Sequence, residues 1–207
     1  MMATTHLLAG LLVALPVALV YPSFAMPVLI GAAVGSVLPD LDLYYGHRRT
    51  LHYPTIGPVL AIFGAIGAIL YPHPWVVATA FVLIGAAIHV RMDIYGGGLE
   101  LRPWAGTSDR AVYDHLRGEW IAPRRLVRYD GAPEDVLMAT TFAVVPLLVL
   151  DGLLWYLVAA ALVISILYGL VRKPIVDLGV ILLRHVPRPI LMMLPVRYLE
   201  GELADRL

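Results

Sequence analysis

Seven residues of this chain carry ligand chemistry close to the ends of apolar runs: His6, Asp40, Asp42, His47, His52, His89 and Asp93. His89 and Asp93 are spaced i, i+4, so both side chains project from one helical face. A helix uses that spacing to offer two ligands to one ion. Asp40 and Asp42, at i, i+2, cannot share a helical face. In a turn, one of them can bind a metal while the other orients a ligand histidine or a water. His47 and His52 lie roughly 140° apart around an ideal helix. They need a turn to meet at one centre, and Gly46 and Pro54 permit irregular backbone there. Imidazoles with carboxylates and no thiolate suit a divalent ion, Zn first and Mn second. Each residue also has a plainer reading. His89 can cap a helix end, Asp93 can bind its own loop, and Asp40 and Asp42 can be solvated acids of a Pro-Asp turn. Arg48 and Arg49 are either anchors at a membrane face or a clamp for an anionic group, since Arg suits bidentate phosphate binding.

The elements that must position these residues are unusually apolar. Of 207 residues, 60% are hydrophobic and 14% charged, against about 25% charged in soluble domains. That excess places the chain among membrane proteins. Net charge is zero, so nothing points to nucleic acid. Cysteine is absent, which excludes disulfides, thiol nucleophiles and thiolate metal sites. Apolar runs over Leu7–Val20, Met26–Leu38, Ile56–Tyr71, Pro74–Val90, Val136–Leu150 and Gly152–Val171 predict an all-α bundle of six short transmembrane helices. Met26–Leu38 reaches only about 20 Å as an α-helix, short of the ~20 residues a full span needs. The first run lacks the positive leader of a secretory signal and is expected to remain as helix.

Six spans place the turns near Pro22, His73 and Asp151 on one side. All fifteen Lys and Arg then fall on the other side, with every one of the fifteen acids except Asp151. Positive charge marks the cytoplasmic face, which predicts both termini and the seven candidate ligands at the cytoplasmic end of a cell-membrane protein. The loop between Arg91 and Asp135 is too aromatic for disorder. It is expected to form an ordered cap with one or two short helices, one over Asp109–Arg117. The membrane domain is read as residues 1–173 with its cap at 91–135. The tail 174–207 is read as lying on the membrane surface rather than crossing it.

Other chemistries fit poorly: there is no G-x-S-x-G and no H-E-x-x-H. Gly96-Gly97-Gly98 lacks the Lys and Ser/Thr of a phosphate loop. The blocks Thr5–Gly10 (THLLAG), Leu38–Asp42 (LPDLD), His47–His52 (HRRTLH) and His89–Asp93 (HVRMD) resemble the YdjM/DUF457 family of membrane-bound metal-dependent hydrolases. The resemblance covers roughly the first half of the chain. Members usually carry H-R-G-x-T-H-S at the third block; here Arg49, Leu51 and Tyr53 stand in place of Gly, Thr and Ser. The family is distantly similar to the phospholipase C/P1 nuclease group, whose zinc sites also use an H-x-x-x-D pair. The resemblance therefore implies hydrolysis of a phosphoester, such as a phospholipid headgroup, at a one- or two-metal site. The ligands preferred on this reading are His6, His52, His89 and Asp93, with Asp40 or Asp42 as ligand or general base. His47 would be a ligand or a partner of one, and Arg48 a substrate contact. A non-catalytic protein with a structural metal, and less readily an ion transporter, are the alternatives.

Overall fold

The computed structural model describes residues 1–193. Its frame is six apolar helices: α1 (Ala3–Val20), α2 (Ala25–Val37), α3 (Ile56–Leu70), α4 (Pro74–Ile94), α5 (Pro133–Val149) and α6 (Gly152–Leu183). A four-residue helix α7 (Arg188–Leu191) follows. Proline sets several starts, at the first position of α4 and of α5, where its missing N–H costs no hydrogen bond. Four segments are long and apolar enough to cross a membrane: Ala3–Val20, Pro22–Tyr44, Pro74–Ile94 and Gly152–Leu183. α3, with 15 residues, and α5, with 17, are shorter.

The second span reaches farther than its α-helix alone. A 3-10 turn precedes α2, and a seven-residue 3-10 segment, Leu38–Tyr44, continues it. At ~2.0 Å per residue, that segment adds about 14 Å. Pro39 discourages the α conformation at Leu38, and the chain goes on in the tighter helix instead of turning away. Asp40 and Asp42 therefore extend the span.

Leu8, Leu11 and Ala14 of α1 form the core with Val28 and Leu29 of α2, Phe81 of α4, Ala143 of α5 and Val158 of α6. α2 and α4 pack backbone to backbone. A Cβ on Gly31 would lie 2.4 Å from the Ala78 carbonyl oxygen, and one on Gly35 would lie 2.1 Å from that of Val82. This is the small-xxx-small contact of membrane helices, and it brings the end of α2 onto the end of α4. α3 lies outside this core, with Ala61 its one buried residue.

Two expectations are corrected. Asp109–Arg117 is not helical: the cap carries a hairpin of β1 (Val112–Asp114) and antiparallel β2 (Glu119–Ile121), with Tyr113 opposite Trp120. Asp114 closes the turn, its Oδ1 accepting from the Leu116 N–H and its carbonyl from the Gly118 N–H, with Gly118 at φ 72°. Asp and Gly favour such turns, and Val, Tyr, Trp and Ile favour strands. The boundary at 173/174 is not a break either, because α6 runs unbroken through Pro174 to Leu183, 32 residues or about 48 Å. α6 takes up residues 174–183 of the tail read as 174–207, and the part from residue 194 onward lies outside the described residues.

Candidate metal centre

The ends of α1, α2 and α4 meet at one end of the bundle, with the loop before α3 folded between them. Asp40, His52, His89 and Asp93 each offer a donor atom there, all within 4.8 Å of one another. Asp93 Oδ2 lies 3.3 Å from His52 Nε2 and 3.4 Å from His89 Nε2, and His89 Nε2 lies 3.5 Å from Asp40 Oδ1. Ligands ~2.0–2.1 Å from a tetrahedral ion are separated by about 3.3–3.4 Å. These three spacings match edges of such a tetrahedron.

The tautomers follow from the partners on the far side of each ring. His89 Nδ1 donates to the Ser36 carbonyl at 2.7 Å, and His52 Nδ1 donates to Asp42 Oδ2 at 3.0 Å. Both acceptors lack a proton to give, so each Nδ1 carries its proton, and Nε2 is the nitrogen through which each ring can take up a cation. These two Nε2 atoms are buried and have no hydrogen-bond partner. They face carboxylate oxygens at 3.3–3.5 Å, a contact that is favourable only with a cation, a proton or a metal ion, between the two atoms. Burial alone would lower the His52 pKa, but its contacts with Asp42 and Asp93 outweigh burial and raise it. The acids thus draw positive charge into the site. The donor set fits a divalent ion.

Of the seven residues picked out by type and spacing, these four come together, and the other three surround them. Asp42 is an orienting carboxylate. Its Oδ1 accepts from His47 Nδ1 (3.1 Å) and the Arg48 N–H (3.3 Å), and its Oδ2 accepts from the Leu51 N–H (3.1 Å) as well as from His52. With four donors around it, it is used up. His47 is accordingly a partner of Asp42 rather than a member of the donor group. His6 stacks on His89 with ring centroids 3.8 Å apart, and its Nε2 meets the other oxygen of Asp93, Oδ1, at 3.2 Å. The Met1 amino nitrogen reaches that same oxygen at 3.0 Å.

Arg48, expected at the substrate, is buried against Asp93 instead. Its Nε lies 3.2 Å from Asp93 Oδ2, and its Nη1 donates to the Gly97 carbonyl at 2.7 Å. It holds this place with φ at 58°, a left-handed conformation that is uncommon and costly outside glycine. Its backbone is tied down on both sides, by Asp42 and by the Tyr113 N–H, which donates to the Arg48 carbonyl at 2.9 Å. Among the described residues, positive φ falls on Gly46 and Arg48 in this loop and not on Arg49. Arg49 is therefore free of backbone strain. Its guanidinium covers the Tyr113 ring at 4.4 Å. Tyr53 stacks on His115, whose Nε2 donates to the Arg49 carbonyl.

The sequence reading did not find the Ser36 carbonyl or the hairpin's grip on the loop. Neither has a side-chain signature. It also passed over Asp135, a fully buried carboxylate that accepts from the Met2 and Gly131 N–H groups and the Thr5 hydroxyl. This acid fixes the start of α1, and so His6, to the start of α5.

Fold and site together define a mostly helical protein with four helices able to cross a membrane and a buried His/Asp group able to hold a metal ion. No protein-family model, curated protein or solved structure matches the chain.

Proposed function

We propose that this chain is a multi-pass protein of the cell membrane that hydrolyses a phosphoester at a divalent-metal site, zinc first, on its cytoplasmic side. One observation carries the metal: two buried imidazoles, their Nδ1 atoms committed to the Ser36 carbonyl and to Asp42, turn Nε2 toward Asp93 and Asp40 at 3.3–3.5 Å. The H-x-x-x-D block and the resemblance to membrane-bound metal-dependent hydrolases support phosphoester chemistry in particular. A divalent ion held there would supply Lewis-acid polarisation of a phosphoryl oxygen and would acidify water. The chain's own residues divide the remaining work. His52 and His89 hold the ion with Nε2, kept in register by Asp42 and the Ser36 carbonyl. Asp93 binds through Oδ2 while Arg48 offsets its charge. Asp40, the one donor with a solvent-exposed edge (23%), is the member suited to take a proton from water. His6 steadies Asp93 from its second oxygen.

A specific observation also favours the structural-metal reading. The group offers four protein donors, the number that closes a tetrahedron, and closed tetrahedra are typical of structural zinc. The two readings part at Asp40. In the hydrolase, Asp40→Ala retains the ion and loses turnover; in a structural site it loses the ion.

Elemental analysis of the purified full chain after zinc loading is the test of the site. The proposal expects bound zinc in the wild type, with sharp loss in His89→Ala and in Asp93→Ala. His73, exposed at the opposite end, serves as control, and His73→Ala should bind as the wild type does. A wild type without zinc after loading, or both site variants retaining it fully, overturns the proposal.

A further inference from the structure

Three of the four donors are sealed, and the fourth is not. His52, His89 and Asp93 are at most 2% exposed, whereas the Asp40 side chain is 23% exposed. Toward the cap the wall is protein: Arg48 bridges Asp93 to the Gly97 carbonyl, and the hairpin holds the loop from behind through Tyr113 and His115. Asp40 sits on the 3-10 segment Leu38–Tyr44, so the exposed edge of the donor group lies on that segment. Its outward residues are apolar or aromatic and strongly exposed: Leu41 (73%), Tyr44 (78%) and, just after it, Tyr45 (86%).

This lip continues the exposed stripe Met26, Ile30 and Val34 of α2, spaced i, i+4, i+8 on one face. It belongs to the same stretch, Pro22–Tyr44, that is apolar enough to cross a membrane. Exposed aromatics also gather at the opposite helix ends, at Tyr21, Tyr71, Trp75 and Tyr156. Two aromatic girdles mark the two interfaces of a bilayer. Along α4, Trp75 and Asp93 are 18 residues apart (93 − 75), about 27 Å, close to the ~30 Å hydrocarbon thickness. That length would set the donors, with Leu41, Tyr44 and Tyr45 of the neighbouring segment, at the edge of the acyl layer.

We infer that the metal group opens sideways past Leu38–Tyr44 and takes the anionic headgroup of an amphiphile that stays in the bilayer, not a solute arriving from water. The inference rests on the metal-site reading above and names its substrate class. Leu41, Tyr44 and Tyr45 flank the lipid backbone. Arg49 and Arg91, both exposed at this end, supply positive charge for the headgroup.

The absence of cysteine allows single-site nitroxide labelling of the full chain in zinc-loaded vesicles. Labels at Leu41→Cys and Tyr45→Cys should meet dissolved oxygen more readily than a water-soluble nickel chelate, and a label at Ser108→Cys in the cap should do the reverse. In phosphatidylcholine vesicles doped with spin-labelled phosphatidate, the protein should immobilise a fraction of the label. Excess inorganic phosphate should leave that fraction in place, and the double variant Leu41→Gln, Tyr45→Gln should abolish it at unchanged zinc content. Labels at 41 and 45 reached mainly by the nickel chelate overturn the sideways opening. So does complete displacement of the phosphatidate by inorganic phosphate, which would mark a site for free anions. Either result leaves the zinc measurement intact, so failure of the opening is distinct from failure of the metal site.

Discussion

Asp42 Oδ2 lies 3.0 Å from His52 Nδ1, and this contact decides which nitrogen of His52 is free to bind. A carboxylate behind a ligand histidine fixes the ring and raises its basicity. Asp42 is surrounded by donors alone, so Asn cannot replace it without turning an amide N–H toward one of them. Asp42→Asn should lower zinc affinity about 10- to 100-fold while leaving helix content unchanged, as read by competition with a chromogenic chelator and by circular dichroism. Unchanged affinity would show that the orientation of His52 does not depend on Asp42.

Gly35 brings α2 against α4, with no room for a methyl group before the Val82 carbonyl. Gly35→Ala must push the two helices apart and separate Asp40 from His89. The expected outcome is a lower melting temperature in detergent together with reduced zinc binding. Gly179, inside α6 with nothing within 4 Å of its Cβ position, supplies the comparison, and Gly179→Ala should leave zinc binding unchanged and the melting temperature equal or slightly higher.

Outside the spans, the cap is pinned to α6 by Asp130, which accepts from Arg172 Nε at 2.7 Å and Nη2 at 3.0 Å and from the Tyr168 hydroxyl. Burial alone would raise the Asp130 pKa, but Arg172 and Tyr168 outweigh it and hold the carboxyl below its ordinary value. A depressed carboxyl stabilises the fold fully above its unfolded pKa, ~3.9. That stabilisation fades as pH falls toward the lower folded value. Thermal melts in detergent should therefore fall more steeply with acidification in the wild type than in Asp130→Asn. Parallel slopes would mean that the pair contributes nothing to the pH dependence.

The charge distribution predicts the orientation. Cysteines introduced at Ser23 and Asp151 should react with an impermeant maleimide from outside intact cells. One at Ser108 should react only after the membrane is opened. A Ser108 label taken up from outside would reverse the topology and move the metal group to the other face.

Much of the architecture is legible in the residue order because hydrophobic runs and their interruptions are local signals. The six apolar runs all became helices, and their bounds moved by only a few residues at most ends. The exceptions have local causes that composition did not weigh strongly enough. Asp114 and Gly118 close a turn inside a segment read as helix, and Pro174 is accommodated within α6. The candidate site was legible as a layer, because span alternation alone puts His6, Asp40, His52, His89 and Asp93 at one end.

Sequence alone determined the strongly apolar, helical character of the chain, the number of apolar helices, and the set of seven residues from which a metal group could be drawn. These follow from hydropathy, charge and side-chain chemistry, which each residue carries wherever the chain goes. Only the tertiary structure decided which of the seven meet and in what role. Asp40 and Asp42 have the same chemistry two positions apart, yet one faces His89 and the other is enclosed by the loop donors of His47, Arg48, Leu51 and His52. The difference arises from a 3-10 continuation of α2 and from a left-handed turn at Arg48. The close approach of Gly31 and Gly35 to α4 completes it. Each is a backbone event set by packing between segments far apart in the chain, where no local periodicity records it.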